Sequence, residues 1–128
     1  MPKKILIVDD EPEFVKGLEI RLKHWGYDTC KAYNSDDCFK MIEKEKPDLI
    51  LLDILMPKID GITTCSRIKK DYDIPIIMVT VLKDSTTIHD ASLFGAFEYI
   101  TKPIDDNELK MKIEQALNYY QNKTKKQK

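Results

Sequence analysis

Along the chain, short runs of consecutive apolar residues alternate with longer stretches in which apolar positions return every three or four residues. The short runs predict strands at Lys4 to Asp9, Tyr27 to Tyr33, Leu49 to Asp53, Ile76 to Thr80 and Phe97 to Ile100. Ile5-Leu6-Ile7-Val8 and Leu49-Ile50-Leu51-Leu52 are apolar throughout, as strands covered on both faces must be. The second run carries Asp28 and Lys31 and reads as a sheet edge. The longer stretches have helical period: Phe14, Leu18, Leu22 and Trp25 share one face, and Leu109, Ile113, Ala116 and Tyr120 share another. Asn34 or Ser35 can cap the second helix, Asp105 with Glu108 resembles a capping box, and Gly26 and Gly95 stand where helices should stop.

Five such β/α units account for residues 3–120, and right-handed crossovers turn them into a doubly wound (βα)5 α/β fold. The expected product is a five-stranded parallel sheet with helices on both faces, and the flavodoxin-like order 2-1-3-4-5 is assigned by analogy. At 128 residues there is room for one domain, placed at residues 1–121. Residues 122–128, with Lys123, Lys125, Lys126 and Lys128, read as a solvated Lys-rich tail or linker stub. The 21 Lys and Arg nearly balance the 22 Asp and Glu, so no global field draws this domain to nucleic acid or to an anionic membrane. No apolar run approaches the roughly 20 residues that span a bilayer, and no secretory leader is evident, so a cytoplasmic location is expected. Cys30, Cys38 and Cys65 form no C-x-x-C pair and read as small buried residues.

Open parallel sheets bind their ligands at the carboxyl ends of the strands. Here the first strand ends in Asp9-Asp10-Glu11, the third in Asp53 and the fourth in Thr80, while Lys102-Pro103 follows the fifth. Each aspartate alone could be a loop residue or a helix cap. Gathered into one cleft, the three would repel by about 4 kcal/mol per pair at 4 Å and an effective dielectric of 20, so the cluster calls for a cation. With Lys102 the three aspartates leave a charge of −2, which one divalent ion neutralises. Hard oxygen donors with space for several waters favour Mg2+. A lysine and a hydroxyl beside a carboxylate are the groups that a phosphoryl moiety on that carboxylate requires.

Ile5-Leu6-Ile7-Val8-Asp9-Asp10-Glu11-Pro12, Asp53-Ile54-Leu55-Met56-Pro57-Lys58-Ile59-Asp60-Gly61, Thr80, and Glu98-Tyr99-Ile100-Thr101-Lys102-Pro103 together resemble the receiver domain of bacterial two-component response regulators, in order and in spacing, over about residues 3–120. The resemblance implies a phosphoacceptor signalling module, not an enzyme acting on other substrates. It implies that Asp53 takes a phosphoryl group from the phosphohistidine of a sensor histidine kinase or phosphotransfer protein. It implies Mg2+ held by Asp10, Asp53 and the backbone carbonyl of Leu55, with Asp9 assisting directly or through water. Lys102 and Thr80 would bind the phosphoryl oxygens, and Thr80 and Tyr99 would form a switch that remodels the face of the fourth helix, fifth strand and fifth helix, a candidate dimer surface. Pro103 matches the family proline that follows a cis bond, and Met56, Pro57 and Gly61 shape the loop after Asp53, glycine allowing positive φ or close approach there.

Three residues depart from the family habit. Val81 stands where a small residue is frequent, and Leu55 and Leu82 stand where polar residues are frequent, so these three are expected to tune the lifetime of the phosphorylated state. His24 and His89 fall on helices away from the strand ends and read as surface or partly packed residues. Rival readings fail on particular residues. An aspartyl-phosphate hydrolase needs D-x-D, but Leu55 occupies the second position after Asp53. A flavin carrier needs a phosphate loop where this chain has Asp10-Glu11-Pro12-Glu13. A receiver-fold scaffold working by protein contacts alone is the remaining alternative, and the complete set Asp9, Asp10, Asp53, Thr80 and Lys102 argues against it. The kinase, the signal and the downstream output domain or target are not encoded in these motifs.

Overall fold

The uninterrupted apolar runs become the middle of a sheet because only there can both faces of a strand be covered. The computed structural model describes residues 2–126, the last three as backbone alone. Its elements are β1 (Lys4–Val8), α1 (Pro12–His24), β2 (Asp28–Ala32), α2 (Ser35–Glu45), β3 (Leu49–Leu52), α3 (Gly61–Asp71), β4 (Ile76–Thr80), α4 (Ser85–Leu93), β5 (Glu98–Thr101) and α5 (Asp106–Lys126). All strand pairs are parallel and the order is β2-β1-β3-β4-β5, the flavodoxin-like α/β arrangement expected. β2 lies at an edge with Asp28 and Lys31 exposed, as its composition foretold.

Alternation along the strands splits the core in two. Leu6, Val8, Ile50, Leu52, Ile76 and Met78 pack with Cys38 and Ile42 of α2, Cys65 and Ile68 of α3, and Ala91 of α4. Ile5, Ile7, Leu49, Leu51, Ile77, Val79 and Ile100 pack with Val15, Leu18 and Leu22 of α1 and Leu109, Ile113 and Ala116 of α5. All three cysteines are buried, and burial pushes their thiols up, to about 11 for Cys30 and Cys65 and about 12 for Cys38.

The element ends show the local chemistry. Asn34, not Ser35, caps α2, its side-chain oxygen accepting from the Asp37 amide at 2.8 Å; Ser35 is buried and accepts from the Thr64 hydroxyl at 3.0 Å. Asp105 accepts from the amides of Asn107 and Glu108, completing one half of the expected box, while the Glu108 carboxylate pairs with Lys112 at 3.2 Å. Gly26 and Gly95 end α1 and α4 with φ of 92° and 111°. β1 and β3 stop one residue short of the spans expected from sequence, Lys4 to Asp9 and Leu49 to Asp53. Asp9 and Asp53 turn back to accept from the amides of Glu11 and Leu55, at 3.0 and 3.1 Å, and so bend the chain out of the ladder.

The segment assigned from sequence to a tail continues α5 as helix through Lys126, and residues 127–128 lie outside the described residues. No glycine or proline interrupts it, and two contacts fasten it to the body: Lys69 Nζ lies 2.8 Å from the Tyr120 hydroxyl, and Lys123 pairs with Asp73 at 3.3 Å. Among the described residues no helix is long and apolar enough to cross a membrane. His24 and His89 are both exposed, consistent with their reading as surface residues.

Asp84 caps α4, accepting from the hydroxyl and the amide of Thr87 at 2.7 and 3.0 Å. Those bonds hold its carboxyl below the ordinary 3.8. A depressed folded pKa stabilises above the unfolded value and loses that effect as pH falls through the folded one. In urea titrations Asp84→Ala should therefore be less stable than the parent at pH 7, and the gap should narrow below about pH 4; a gap independent of pH would show that the charged cap contributes nothing.

Candidate functional site

Strand register builds the site. Val8 is aligned with Leu52, and the Asp53 amide donates to the Val8 carbonyl at 3.0 Å, so the next residue of each strand, Asp9 and Asp53, emerges side by side. Thr80 is aligned with Thr101, and the Lys102 amide donates to the Thr80 carbonyl at 2.8 Å, which brings Lys102 out over the same edge. Asp9, Asp53 and Lys102 continue the alternation of Ile7, Leu51 and Ile100, the face covered by α1 and α5; Thr80 continues that of Met78, the opposite face.

Lys102 Nζ lies 2.8 Å from Asp9 Oδ2, 3.3 Å from Asp53 Oδ2 and 3.5 Å from Glu11 Oε1. Asp9 and Asp53 are 2% and 4% exposed, so they depend on this ammonium, whereas Glu11 stands largely in solvent. Burial pushes the Asp9 carboxyl up, further than the hydrogen bond from Lys102 pulls it down. Burial works against the Lys102 ammonium too, but the hydrogen bond to Asp9 and the charge of Asp53 outweigh it and hold the group above its usual range. The Lys102–Pro103 peptide bond is cis.

One oxygen from each of Asp9, Asp10, Glu11 and Asp53 falls within a cluster in which all lie within 4.8 Å of one another. Such a donor set, hard throughout and open to water at Asp10 and Glu11, fits a divalent cation that keeps part of its hydration. Nearby, the Thr80 hydroxyl is fully buried and among the described residues meets no hydrogen-bond partner, a cost that a ligand oxygen would remove. The Tyr99 hydroxyl donates to the Leu82 carbonyl at 2.8 Å, tying β5 to the loop behind Thr80. Leu55 and Val81, which follow Asp53 by two residues and Thr80 by one, are about half exposed, and Leu82 packs against the core that includes Met78.

Gly61 governs the loop after Asp53, and it does so by close approach: a Cβ there would lie 2.1 Å from the Asp53 carbonyl oxygen. The Gly61 amide donates to the Ile54 carbonyl at 2.9 Å, closing the loop, with Met56 half-buried against the core that includes Leu52 and Ile54 and Pro57 accepting from the Ile59 amide at 2.8 Å. Of the residues singled out from sequence at the strand ends, Asp9, Asp10, Asp53 and Lys102 meet in one cluster, while Thr80 ends the neighbouring β4 on the opposite face. The Leu55 amide, bonded to Asp53, is the contact its backbone makes there. Two participants were not singled out. Glu11 was visible in the acidic run but not counted among the ligands, and Phe14, read as core, has its ring centroid 4.0 Å from Lys102 Nζ.

Residues 5–114 match the family described as the response regulator receiver domain. The chain belongs to that family. It is 41% identical over 115 residues to "Probable transcriptional regulator ycf27" of Guillardia theta and 38% identical over 115 residues to the protein of that name from Porphyridium aerugineum, in each case over 90% of this chain. The matches cover 45% and 48% of those proteins, so the chain spans about half the length of the curated relatives it matches. Among solved structures it is similar to the beryllofluoride-activated N-terminal receiver domain of RstA from Klebsiella pneumoniae, with TM-score 0.87 and 30% identity, covering 90% of this chain and 98% of that one. A CheY-like receiver protein from Methanospirillum hungatei is similar with TM-score 0.89 and 28% identity, covering 96% and 99%. A receiver of a two-component system is a signalling phosphoacceptor rather than an enzyme. In this receiver the acidic pocket of Asp9, Asp10, Glu11 and Asp53 is of the kind that holds the metal.

Gly61→Ala forces either the Asp53 carbonyl or the start of α3 to move. We expect it to destabilise the receiver by more than about 3 kcal/mol in denaturant titrations; a loss within about 0.5 kcal/mol would show that the loop yields freely.

Proposed function

We propose that this receiver takes a phosphoryl group onto Asp53 from the phosphohistidine of a sensor histidine kinase or phosphotransfer protein, with Mg2+ at the acidic cluster, and signals through the face of α4, β5 and α5. The single observation that carries the reading is the convergence on one buried carboxylate, Asp53, of an ammonium at 3.3 Å and a cluster of cation-binding oxygens. Asp10, Asp53 and the Leu55 carbonyl would hold Mg2+, Asp9 assisting directly or through water. The ion, when bound, offsets negative charge on the phosphoryl oxygens and orients them. An Asp53 carboxylate oxygen forms the new bond to phosphorus in line with the breaking P–N bond, whose electron pair stays on the imidazole. Lys102 exchanges part of its contact with Asp53 for a phosphoryl oxygen, and the Thr80 hydroxyl gains the acceptor it lacks.

That gain is what distinguishes the two states, since a modification shifts an equilibrium only through contacts that differ between them. When Thr80 turns toward the phosphoryl group, Tyr99, held to the Leu82 carbonyl, moves with the loop and reshapes the α4-β5-α5 face. A second copy of the receiver is a candidate occupant of that face. The curated relatives are named as transcriptional regulators and are about twice as long as this chain, which supports a nucleic-acid-binding output carried elsewhere and not by this domain. The near-neutral charge agrees with that division, and a cytoplasmic location follows from a kinase partner of this class.

Incubation with acetyl phosphate and Mg2+ should add one phosphoryl group by intact mass to the parent and none to Asp53→Asn; equal uptake by the variant would refute the assignment. With beryllofluoride and Mg2+, amide shifts should spread from the cleft across residues 84–110, and shifts confined to the cleft would leave the switch without support.

Hydrolysis of the acyl phosphate needs a water oriented behind phosphorus, and Leu55, Leu82 and Val81 offer it no hydrogen bond. The phosphorylated state should accordingly be long-lived. Once donor is removed, a Leu55→Asn, Leu82→Glu double variant should lose phosphate about tenfold faster than the parent, equivalent to ~1.4 kcal/mol of barrier. Equal or slower decay would show that these leucines do not set the lifetime.

A further inference from the structure

Lys102 has a partner that is not a carboxylate. Its ammonium sits 4.0 Å from the centroid of the Phe14 ring, well inside the distance at which an aromatic face attracts a cation, and its side chain is only 10% exposed, so water competes little for that attraction. Phe14 comes from the first turn of α1, directly after the acidic run, and its ring also packs against the core formed with α5. One short segment therefore supplies two of the three carboxylates around Lys102, Asp9 and Glu11, and the ring against which it rests.

The contact differs in kind from the ion pairs. An ammonium has three protons to donate, and in the resting site Asp9, Asp53 and Glu11 stand at 2.8, 3.3 and 3.5 Å to receive them. Any phosphoryl oxygen arriving on Asp53 has to win one of these protons from a carboxylate. The ring takes none. It attracts the positive charge through its quadrupole, so its hold persists whichever oxygens the protons point to, and its bulk keeps the four-carbon stem from swinging out to solvent.

We propose that Phe14 is a positioning residue for Lys102: an aromatic seat that keeps the ammonium at the cleft while its hydrogen bonds pass from Asp53 to an incoming phosphoryl group. This rests on the reading of Asp53 as phosphoacceptor. Aromatic character at position 14 then matters to the transfer step itself. An aliphatic residue of similar volume would keep the packing and lose the seat.

The experiment compares the full chain with Phe14→Leu and Phe14→Tyr, measuring phosphorylation by acetyl phosphate at fixed Mg2+ and, in the same samples, the thermal midpoint and the proton shifts of the Lys102 ε-methylene. The parent methylene should lie upfield, shifted by the ring current. Phe14→Leu should remove that shift and slow phosphorylation roughly three- to tenfold, and Phe14→Tyr should restore both. A parent that takes up phosphate while Phe14→Leu matches its rate overturns the inference and leaves the functional reading intact. Slowing in Phe14→Leu that Phe14→Tyr fails to rescue also overturns it, since bulk or stability would then be the cause. If Phe14→Leu does not fold, the parent spectrum decides: an unshifted ε-methylene refutes the seat. A parent that takes up no phosphate overturns the functional reading, and the inference falls with it.

Discussion

Two buried carboxylates side by side are the constraint around which this molecule is organised. Asp9 and Asp53 emerge from adjacent strands whose register leaves them no room to part, and both are almost fully removed from water. A buried charge without a partner costs several kcal/mol, and two like charges cost more. One ammonium, Lys102, stands against both, held to the site by the backbone bond from its amide to Thr80. Asp10 and Glu11, the other members of the oxygen cluster, reach solvent and can be hydrated. The result is a site that the protein alone compensates incompletely, and an anionic site left short of positive charge favours a cation.

The rest of the fold keeps that arrangement rigid. The central strands are apolar on both faces, so β1 and β3 cannot slide by one residue without putting whole rows of side chains out of register with the helices above and below. Gly61 presses against the Asp53 carbonyl, fixing the loop from the other side. Among the described residues the buried Thr80 hydroxyl has no partner, and the loop that follows is tied to Tyr99 by a hydrogen bond from the Tyr99 hydroxyl to the Leu82 carbonyl. A buried, unsatisfied hydroxyl at the end of β4, one strand over from Asp53, is the group in this region with most to gain from a ligand oxygen.

Much of this was legible in the amino-acid order, and the reason is locality. Whether a segment is strand or helix depends on spacing within ten residues or so, which is why Leu49-Ile50-Leu51-Leu52 and the Leu109, Ile113, Ala116 repeat declare themselves. Asn34 and Asp105 announced helix starts through chemistry that acts within three residues. The acids, the hydroxyl and the lysine were legible as a site because the parallel fold sends every strand's carboxyl end to one edge, so their position in each strand was enough.

What the tertiary structure decided lies in contacts between segments far apart in sequence. The pattern shows an apolar strand but not its neighbours, so the order 2-1-3-4-5 rested on analogy until register and pairing were in hand. Spacing left Gly61 two possible roles, and only the path of the Asp53 carbonyl chose close approach. Helical period put Phe14 in the core, where part of its ring belongs, but the lysine 88 residues later that rests on the same ring is set by the meeting of α1 with the β5 end. The helix that outlasts its apolar stripe to Lys126 is held by Asp73 and Lys69 from across the molecule. Local periodicity is written in each segment by itself, whereas which ammonium meets which carboxylate or ring depends on the geometry of the whole chain closed upon itself.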